Sequence, residues 1–524
     1  MATKPAADPI RPPATQHPGT QVYAVHGADP EVQAYGMAKY SRSALSLRES
    51  LAELNEQKAE KFLNTFYFQY GHRSIADLAH IAFAIERLSI LAATILVDEP
   101  RWDGQERSTR YQDFKKSGYY VPDFSGDAEA EAMYRRAADH LFAEYQFFSG
   151  AMFDYLRERT AKPEEMKQEA YERTLRARAF DLSRYLLPLA TNTSLGQIVS
   201  ARTLEDQVSR LLSDPHAEVR RLGELLKQAA REGAYNVNQA VAQELVDQVR
   251  QHAPELATRA EQVLLREVHV APTLVKYAEP SAYEIDRRRE LSGAAAELIG
   301  RLPIDPAPLV DLLEDEPLEI ELATTLLYQF AHHSYRQIRH VVQGLSEHRR
   351  NEIIALGMKH RGRFDEVARA FQSGQRFRFD ILMDIGGFRD MHRHRRCVQI
   401  MQDYTPQHGY DMPREIELAG LASRYAQVMD DTWEAVSQLA AREVTEAGEQ
   451  SQYLIPLAFK KRTLFKMDFA EAVYISELRT TPAGHFSYRN VAYAMYEAVA
   501  RRYPSLAQYF RVTDVTEPVD LLKR

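Results

Sequence analysis

The sequence predicts a helix-dominated α/β (α+β) chain built from two tandem copies of one unit, each with a small sheet. Three observations carry this. First, short strings recur in one order: FQYGHRS (Phe68–Ser74) resembles YQFAHHS (Tyr328–Ser334), GYYVP (Gly118–Pro122) resembles GYDMP (Gly409–Pro413), and YLLPLA (Tyr185–Ala190) resembles YLIPLA (Tyr453–Ala458). After the last pair, Arg210 stands six residues before His216 and Arg479 six before His485. Second, long stretches place apolar residues three and four apart, as an amphipathic helix requires. Third, two short stretches alternate with period two, the mark of a strand.

Residues 1–20 are rich in Pro, Ala and Thr and nearly free of large apolar side chains, so they cannot repay the entropy of ordering and read as a disordered tail. The first copy is expected over residues 21–250 and the second over 251–524. In the first, Ile81, Phe83 and Ile85 alternate with Ala82, Ala84 and Glu86, which predicts a half-buried strand. AEAMYRRAADHLFAEYQFFSGAMFDYLRERT predicts a long bundle helix. Residues 237–271 are charged, rich in Ala and Gln, and helix-like, and would join the copies. In the second, Phe377, Phe379, Ile381 and Met383 alternate with Arg378, Asp380 and Leu382, again predicting a half-buried strand. A helical segment follows each strand, and candidate sites lie where those helices end.

The 524 residues, 45% apolar, suffice for two full cores. A net charge of -8 argues against broad nucleic-acid binding, because neutralising many phosphates needs a basic surface. Any anionic ligand is then small and met locally. No apolar run reaches the roughly 18 residues that cross a bilayer, and no charged-then-apolar leader opens the chain, which points to the cytoplasm. A single cysteine, Cys397, leaves no internal disulfide and no thiolate cluster.

In MHRHRR (Met391–Arg396) three arginines and two histidines crowd together. Such a cluster repels itself unless an anion compensates it, and a guanidinium fork grips phosphate oxygens in pairs. The plainer alternative is a solvated basic face paired with Asp384, Asp390 and Asp403. A metal pair of His392 and His394 with Asp390 lacks a further ligand at suitable spacing. In GQERSTRYQDF, Glu106, Ser108 and Arg110 alternate and would point to one side, which suits a phosphate; a helix cap beside a surface arginine is the commoner cause of such a pattern. Arg184 and Arg202 adjoin apolar runs, where a half-buried guanidinium needs an anionic partner. His72, His332 and His333 close apolar stretches, where a histidine commonly bonds a carbonyl.

Together these motifs resemble the flavin-dependent thymidylate synthases. That family's order is GHxS, a strand, RHR, Ser-x-Arg-Tyr seven residues on, then an Arg before a Leu-Pro run. The first copy has Gly71-His72-Arg73-Ser74, Glu106 to Tyr111, and Arg184 before Leu187-Pro188, but Asp98-Glu99-Pro100 where RHR belongs. The second copy has Arg393-His394-Arg395, but Asp403-Tyr404-Thr405-Pro406 in place of Ser-x-Arg-Tyr and Gln452 in place of the later Arg. Asp77 and Ser200 also depart from the pattern. Roughly 35 extra residues separate His332 from Arg393, and His360 in KHRGRFDE is a rival match for the family's histidine.

The resemblance implies one composite site, because the family's nucleotide site is shared between subunits. The first copy would give Glu106, Ser108, Arg110 and Arg184 to dUMP, and the second Arg393, the candidate catalytic residue, with Arg479. His72, Arg202, His394 and Arg395 would contact FAD. The implied reaction is reductive methylation of dUMP to dTMP with methylenetetrahydrofolate and NADPH, in a pseudo-dimer that pairs into a homodimer. A non-catalytic nucleotide or flavin binder, or a methyltransferase for another pyrimidine, would use the same residues.

Overall fold

The computed structural model describes residues 29–38, 73–276, 278–362, 365–442, 450–517, 520 and 522. The expected tail at residues 1–20 and the candidate His72 lie outside them. Among the described residues the first half runs α1 (Pro30–Ala38), β1 (His80–Ser89), α2 (Ile90–Leu96), β2 (Asp103–Glu106), α3 (Ala128–Arg159), α4 (Gln168–Ser183), β3 (Asn192–Ser200), α5 (Ala201–Leu212) and α6 (Ala217–Arg231). A hairpin of α7 (Gln239–His252) and α8 (Pro254–Leu264) follows, in the stretch expected to join the copies. The second half runs α9 (Ala282–Leu298), β4 (Val310–Leu312), α10 (Leu318–Tyr328), α11 (Tyr335–Gly344), α12 (Glu347–Leu356), β5 (Phe377–Asp384), α13 (Ile385–Met391) and β6 (Val398–Met401). It closes with α14 (Arg414–Leu418), α15 (Ala422–Arg442), β7 (Lys460–Met467), α16 (Phe469–Arg479), α17 (Phe486–Arg502) and α18 (Pro504–Ala507).

Helices dominate, and each half carries one small antiparallel sheet, ordered β1-β3-β2 in the first and β4-β5-β7-β6 in the second. The predicted long helix is α3, which buries Tyr134, Ala138, Leu141, Tyr145, Phe148, Met152 and Leu156 along one stripe. Asp127 caps its N-terminus by accepting from the Ala130 amide. The extra length of the second half is α12 and the loop after it, since β1 begins directly after Leu78 whereas α12 intervenes between α11 and β5.

The echoed strings meet in space. Leu189 N–H donates to Ile455 O at 2.9 Å and Leu457 N–H to Leu187 O at 3.0 Å. Ala190 N–H donates to Tyr453 O at 2.7 Å and Ala458 N–H to Tyr185 O at 3.1 Å. Each bond is the mirror of its partner under exchange of the halves, which is the geometry of a twofold interface between like subunits. The same strings hold their own halves: Leu189 O accepts from Leu91 N–H at 3.1 Å and Leu457 O from Gly386 N–H at 3.0 Å, at the first turns of α2 and α13. The GYxxP strings turn alike, Gly118 and Gly409 having φ of 68° and 71°, a left-handed region open to glycine. Around this seam one apolar core takes residues from both halves, with Tyr145 and Phe148 of α3 and Tyr425 and Met429 of α15 among them. The halves therefore share a core as a pseudo-dimer.

One strand departs from expectation. β1 is half-buried, with Ala82, Ala84 and Glu86 exposed, but both faces of β5 are covered. The polar face of β5 is closed by a charge network: Asp380 accepts from Arg462 Nη1 at 3.1 Å and from Tyr328 Oη at 2.7 Å, and Arg378 pairs with Glu316 at 2.6 Å. Arg and Asp in alternation read as solvent-facing, and here they are buried because each finds an opposite charge.

The helix caps beside the seam are exchanged between halves. Ser89 caps α2 and donates through Oγ to Glu218 at 2.6 Å; Asp384 caps α13 and accepts from Ser487 Oγ. Burial raises the Asp384 carboxyl to about 6, above the ordinary 3.8. The folded chain thus holds this proton more tightly than the unfolded chain. Its contribution to stability is fully present below pH 4 and lost as pH rises through about 6, a cost of about 3 kcal/mol at neutral pH. Asp384→Asn keeps an oxygen for Gly387 N–H and should gain stability relative to wild type as pH goes from about 4 to 7, measured by urea midpoints. A difference that stays flat over that range contradicts the assignment.

Candidate functional site

Residues of both halves converge beside the seam. β2 ends at Glu106, and the turn that follows is anchored within the first half by Arg107, which donates to Gln112 Oε1, Ser117 Oγ and Asp113 O, each at 2.9 Å. Arg107 is thereby committed to the fold, while Glu106, Thr109 and Arg110 meet the second half. Ser108 Oγ accepts from Arg110 N–H at 3.2 Å, tightening the turn. Arg110 makes a two-pronged pair with Asp181 at 2.9 and 3.0 Å and crosses to the second half, donating to Tyr488 Oη at 2.9 Å and to Ala483 O at 3.2 Å.

Arg184 is 2% exposed, one residue before the seam. Its Nε lies 3.5 Å from Asp181, and its Nη1 lies 3.7 Å from Asp390 of the second half. Gly387 lets α13 pack on Ser487, since a Cβ there would sit 2.6 Å from Ser487 Oγ; a Cβ on Gly386 would meet the Arg184 guanidinium at 3.6 Å, an ordinary contact. Burial works against the charge of Asp181, but His485, Arg184 and Arg110 outweigh it and hold the carboxyl well below its usual range. Burial also pushes His485 down to about 3, so this ring meets Asp181 as a neutral dipole and the two guanidiniums compensate the charge.

On the second half, Arg393 to Arg395 stand just past the end of α13. Arg393 is exposed, and Arg395 stacks on Trp102 of the first half with its guanidinium 4.5 Å from the ring centre. Arg479, at the end of α16, donates through Nε to His394 Nε2 at 2.8 Å. His394 Nδ1 lies 3.6 Å from Glu471, so both ring nitrogens turn into the second half. His392 Nδ1 instead meets Gln399 Oε1 at 2.8 Å, so the two histidines do not converge as a metal pair. Arg202 donates to Asp77 Oδ2 at 3.1 Å within the first half. Arg396 is exposed like Arg393 and sits on a solvated face, near Asp468 at 3.6 Å. Burial raises the Cys397 thiol to about 12, so it stays protonated.

Arg110, Arg184, Arg389, Arg393, Arg395 and Arg479 outnumber the acids around them, Glu106, Asp181 and Asp390 with Asp103 near Arg395 and Glu471 beyond His394. The buried Nε and Nη2 of Arg184 and the Nε of Arg389 and of Arg395 have no hydrogen-bond partner among the described residues. An excess of positive charge with unspent N–H donors is what a small anion such as a phosphate requires. Sequence reasoning missed Asp181 and Arg389. The first lies in the last turn of α4, three residues before Arg184, and the second in α13, four before Arg393, so each stood close in the sequence to a residue already singled out.

The reciprocal corner is built differently. Arg210 donates to the Ile95 and Leu96 carbonyls at the end of α2, at 2.8 and 3.4 Å, and Asp98 pairs with Arg369. Tyr404 and Lys461 are buried there, Lys461 Nζ lying 3.6 Å from the Tyr404 ring centre. Its charged groups meet partners inside the fold, although the buried Arg210 Nε has no hydrogen-bond partner among the described residues. His333 Nε2 bonds Leu302 O at 2.9 Å, the plainer role expected of such a histidine, and His360 pairs with Glu290 on α9 at 2.8 Å. A cavity of about 960 Å³ lies elsewhere, between α1, α6 and residues 269–280, and holds none of the predicted site residues.

The family model described as Thymidylate synthase complementing protein matches residues 23–255 and 309–505. The chain belongs to that family and carries its unit twice, diverged differently in each copy. It is 26% identical over 530 residues to a UPF0159 protein of Chlamydia pneumoniae, covering 96% of this chain and 93% of that one. A UPF0159 protein of Thermoplasma acidophilum is 25% identical over 513 residues, covering 91% and 94%. A flavin-dependent thymidylate synthase of Clostridium tetani is 26% identical over 177 residues, 34% of this chain and 67% of that one. The structure of Thymidylate Synthase X from Helicobacter pylori with FAD and dUMP aligns over 38% of this chain and 88% of its own, at 18% identity and a TM-score of 0.26.

Asp181→Ala would take from two buried guanidiniums their nearest carboxylate and should cost about 3–5 kcal/mol of stability. Inorganic phosphate should raise the melting temperature of that variant more than it raises that of wild type. Equal shifts would mean that no anion reaches Arg110 and Arg184.

Proposed function

We propose that the chain is a flavin-dependent thymidylate synthase-like methyltransferase that converts dUMP to dTMP at one site shared by the two halves. The supporting observation is the meeting of Arg110 and Arg184 of the first half with Asp390 and Tyr488 of the second, with Arg479 over the Tyr488 ring. In this reading residues 21–250 and 251–524 are the two domains. Ser108, Arg110 and Arg184 clamp the nucleotide phosphate, which is catalysis by positioning. Arg393, exposed at the mouth, reaches the uracil oxygens and stabilises negative charge developing on the ring, while Arg479 closes the same side. Cys397, protonated and buried, takes no nucleophilic part.

The residues proposed for FAD fit it in part. Arg395 presents an unpartnered buried Nε and a stacked guanidinium face. Arg202 offers its remaining donors beside Asp77. His72 keeps its proposed role on the resemblance alone. When bound, FAD would carry reducing equivalents from NADPH to the carbon donated by methylenetetrahydrofolate. The inward turn of His394 favours a second reading, a nucleotide binder without turnover.

The family resemblance further supports a homodimer of these pseudo-dimers, acting in the cytoplasm. No helix among the described residues is long and apolar enough to cross a membrane. Light scattering after size exclusion should give twice the chain mass, and a stable monomer would remove the pseudo-tetramer. Purified protein incubated with FAD should show a flavin absorption band that bleaches anaerobically with NADPH and dUMP. A band that does not bleach selects the nucleotide or flavin binder, and methyl transfer to UMP or dCMP in preference to dUMP selects another pyrimidine.

A further inference from the structure

The turn that carries Ser108 and Arg110 is held by a residue of the opposite half. Arg389, on α13, points a nearly buried guanidinium at the first half, its side chain 10% exposed. Its Nη2 donates to Glu106 Oε1 and its Nη1 to Thr109 Oγ1 at 3.3 Å. Thr109 Oγ1 also lies 3.5 Å from Arg184 Nη1. One planar group therefore fixes both ends of the segment Glu106–Thr109, and a fork with two donors constrains orientation as well as distance. The next residue on the helix, Asp390, faces Arg184.

The comparison of the halves separates a functional clamp from a generic interface pair. By sheet register Glu106, opposite Leu195, corresponds to Met401, opposite Thr463. Counting back equally from these two, Arg389 corresponds to Thr94, whose Oγ1 is spent on Ile90 O at 2.9 Å within its own helix. The reciprocal corner thus has neither charge of the pair. An ion pair needed only to join the halves would serve on both sides of a twofold seam. This one stands only where the proposed nucleotide arginines stand.

We infer that Arg389 is a positioning residue for the nucleotide-binding turn: acting through Glu106 and Thr109, it sets Ser108 and Arg110 against Arg393. The inference rests on the proposed nucleotide reading for its ligand, but its mechanical part does not. Arg389→Gln removes the charge and keeps a polar side chain of similar reach. In the ligand-free protein, amide exchange over residues 107–111 should quicken about tenfold while exchange along β5 and β7 is unchanged. In dUMP titrations the same variant should bind about tenfold more weakly. Glu106→Gln should do the same, and the double variant should be no weaker than either single one. Arg389→Lys, which restores charge without the fork, should recover only part of the affinity.

Unchanged exchange in the turn overturns the inference whatever the ligand proves to be. Loosened exchange with wild-type dUMP affinity also overturns it, because the turn would then not set binding. Loosened exchange in a protein whose wild type binds no dUMP upholds the positioning of the turn and removes the nucleotide reading instead.

Discussion

The reciprocal pairing of the two Pro-Leu-Ala strings is the constraint on which the rest depends. Four backbone hydrogen bonds tie Tyr185 to Ala190 against Tyr453 to Ala458, and the next carbonyls hold the first turns of α2 and α13. Backbone bonds at a buried seam are costly to leave unmade, so register across the halves is set within one residue. From there the site follows by short steps. Arg184 precedes Tyr185, so the seam fixes its guanidinium; Gly386 hangs from Leu457, so the seam fixes α13 and with it Arg389, Asp390 and the approach to Arg393.

A twofold seam offers two equivalent corners, and the chain has spent them differently. One collects arginines in excess of carboxylates, with buried N–H groups of Arg184, Arg389 and Arg395 left without hydrogen-bond partners among the described residues, whereas at the other the Arg210 Nε is the arginine N–H so left. The other satisfies its charges internally: Asp98 is drawn down to about 2, chiefly against its burial by Arg369, and Lys461 is pushed down to about 8 by burial beside Tyr404. The exchanged caps show the same division at a smaller scale, a serine facing Glu218 in one half and an aspartate facing Ser487 in the other. In each the donor and acceptor are kept and their owners swapped.

Much of this was legible in the sequence because duplication leaves a record that does not depend on interpreting any single residue. The ordered echoes revealed the duplication, though not that the Pro-Leu-Ala strings pair, period-two alternation located β1 and β5, and the three-and-four spacing located α3. The grouping of Glu106, Arg110, Arg184, Arg393 and Arg479 rested on complementary loss between copies, and the fold brings the halves that carry them together. What was illegible had a common cause. Arg378 and Asp380 look like a solvent face, yet they are buried against Glu316 and Arg462, whose positions are distant in the chain. Asp181 and Arg389 look like ordinary helix charges until the partner half supplies what they touch. His394 belongs to the motif that reads most plainly as a ligand group, and its ring is taken up by Arg479 and Glu471.

The most direct test of a single shared site is calorimetric titration of dUMP into the wild-type chain and into three arginine variants. The account predicts one nucleotide per chain, loss of binding in both Arg110→Ala and Arg393→Ala although these residues lie in different halves, and unchanged stoichiometry in Arg210→Ala. Two nucleotides per chain, or binding that survives in either of the first two variants, would mean that the halves act separately.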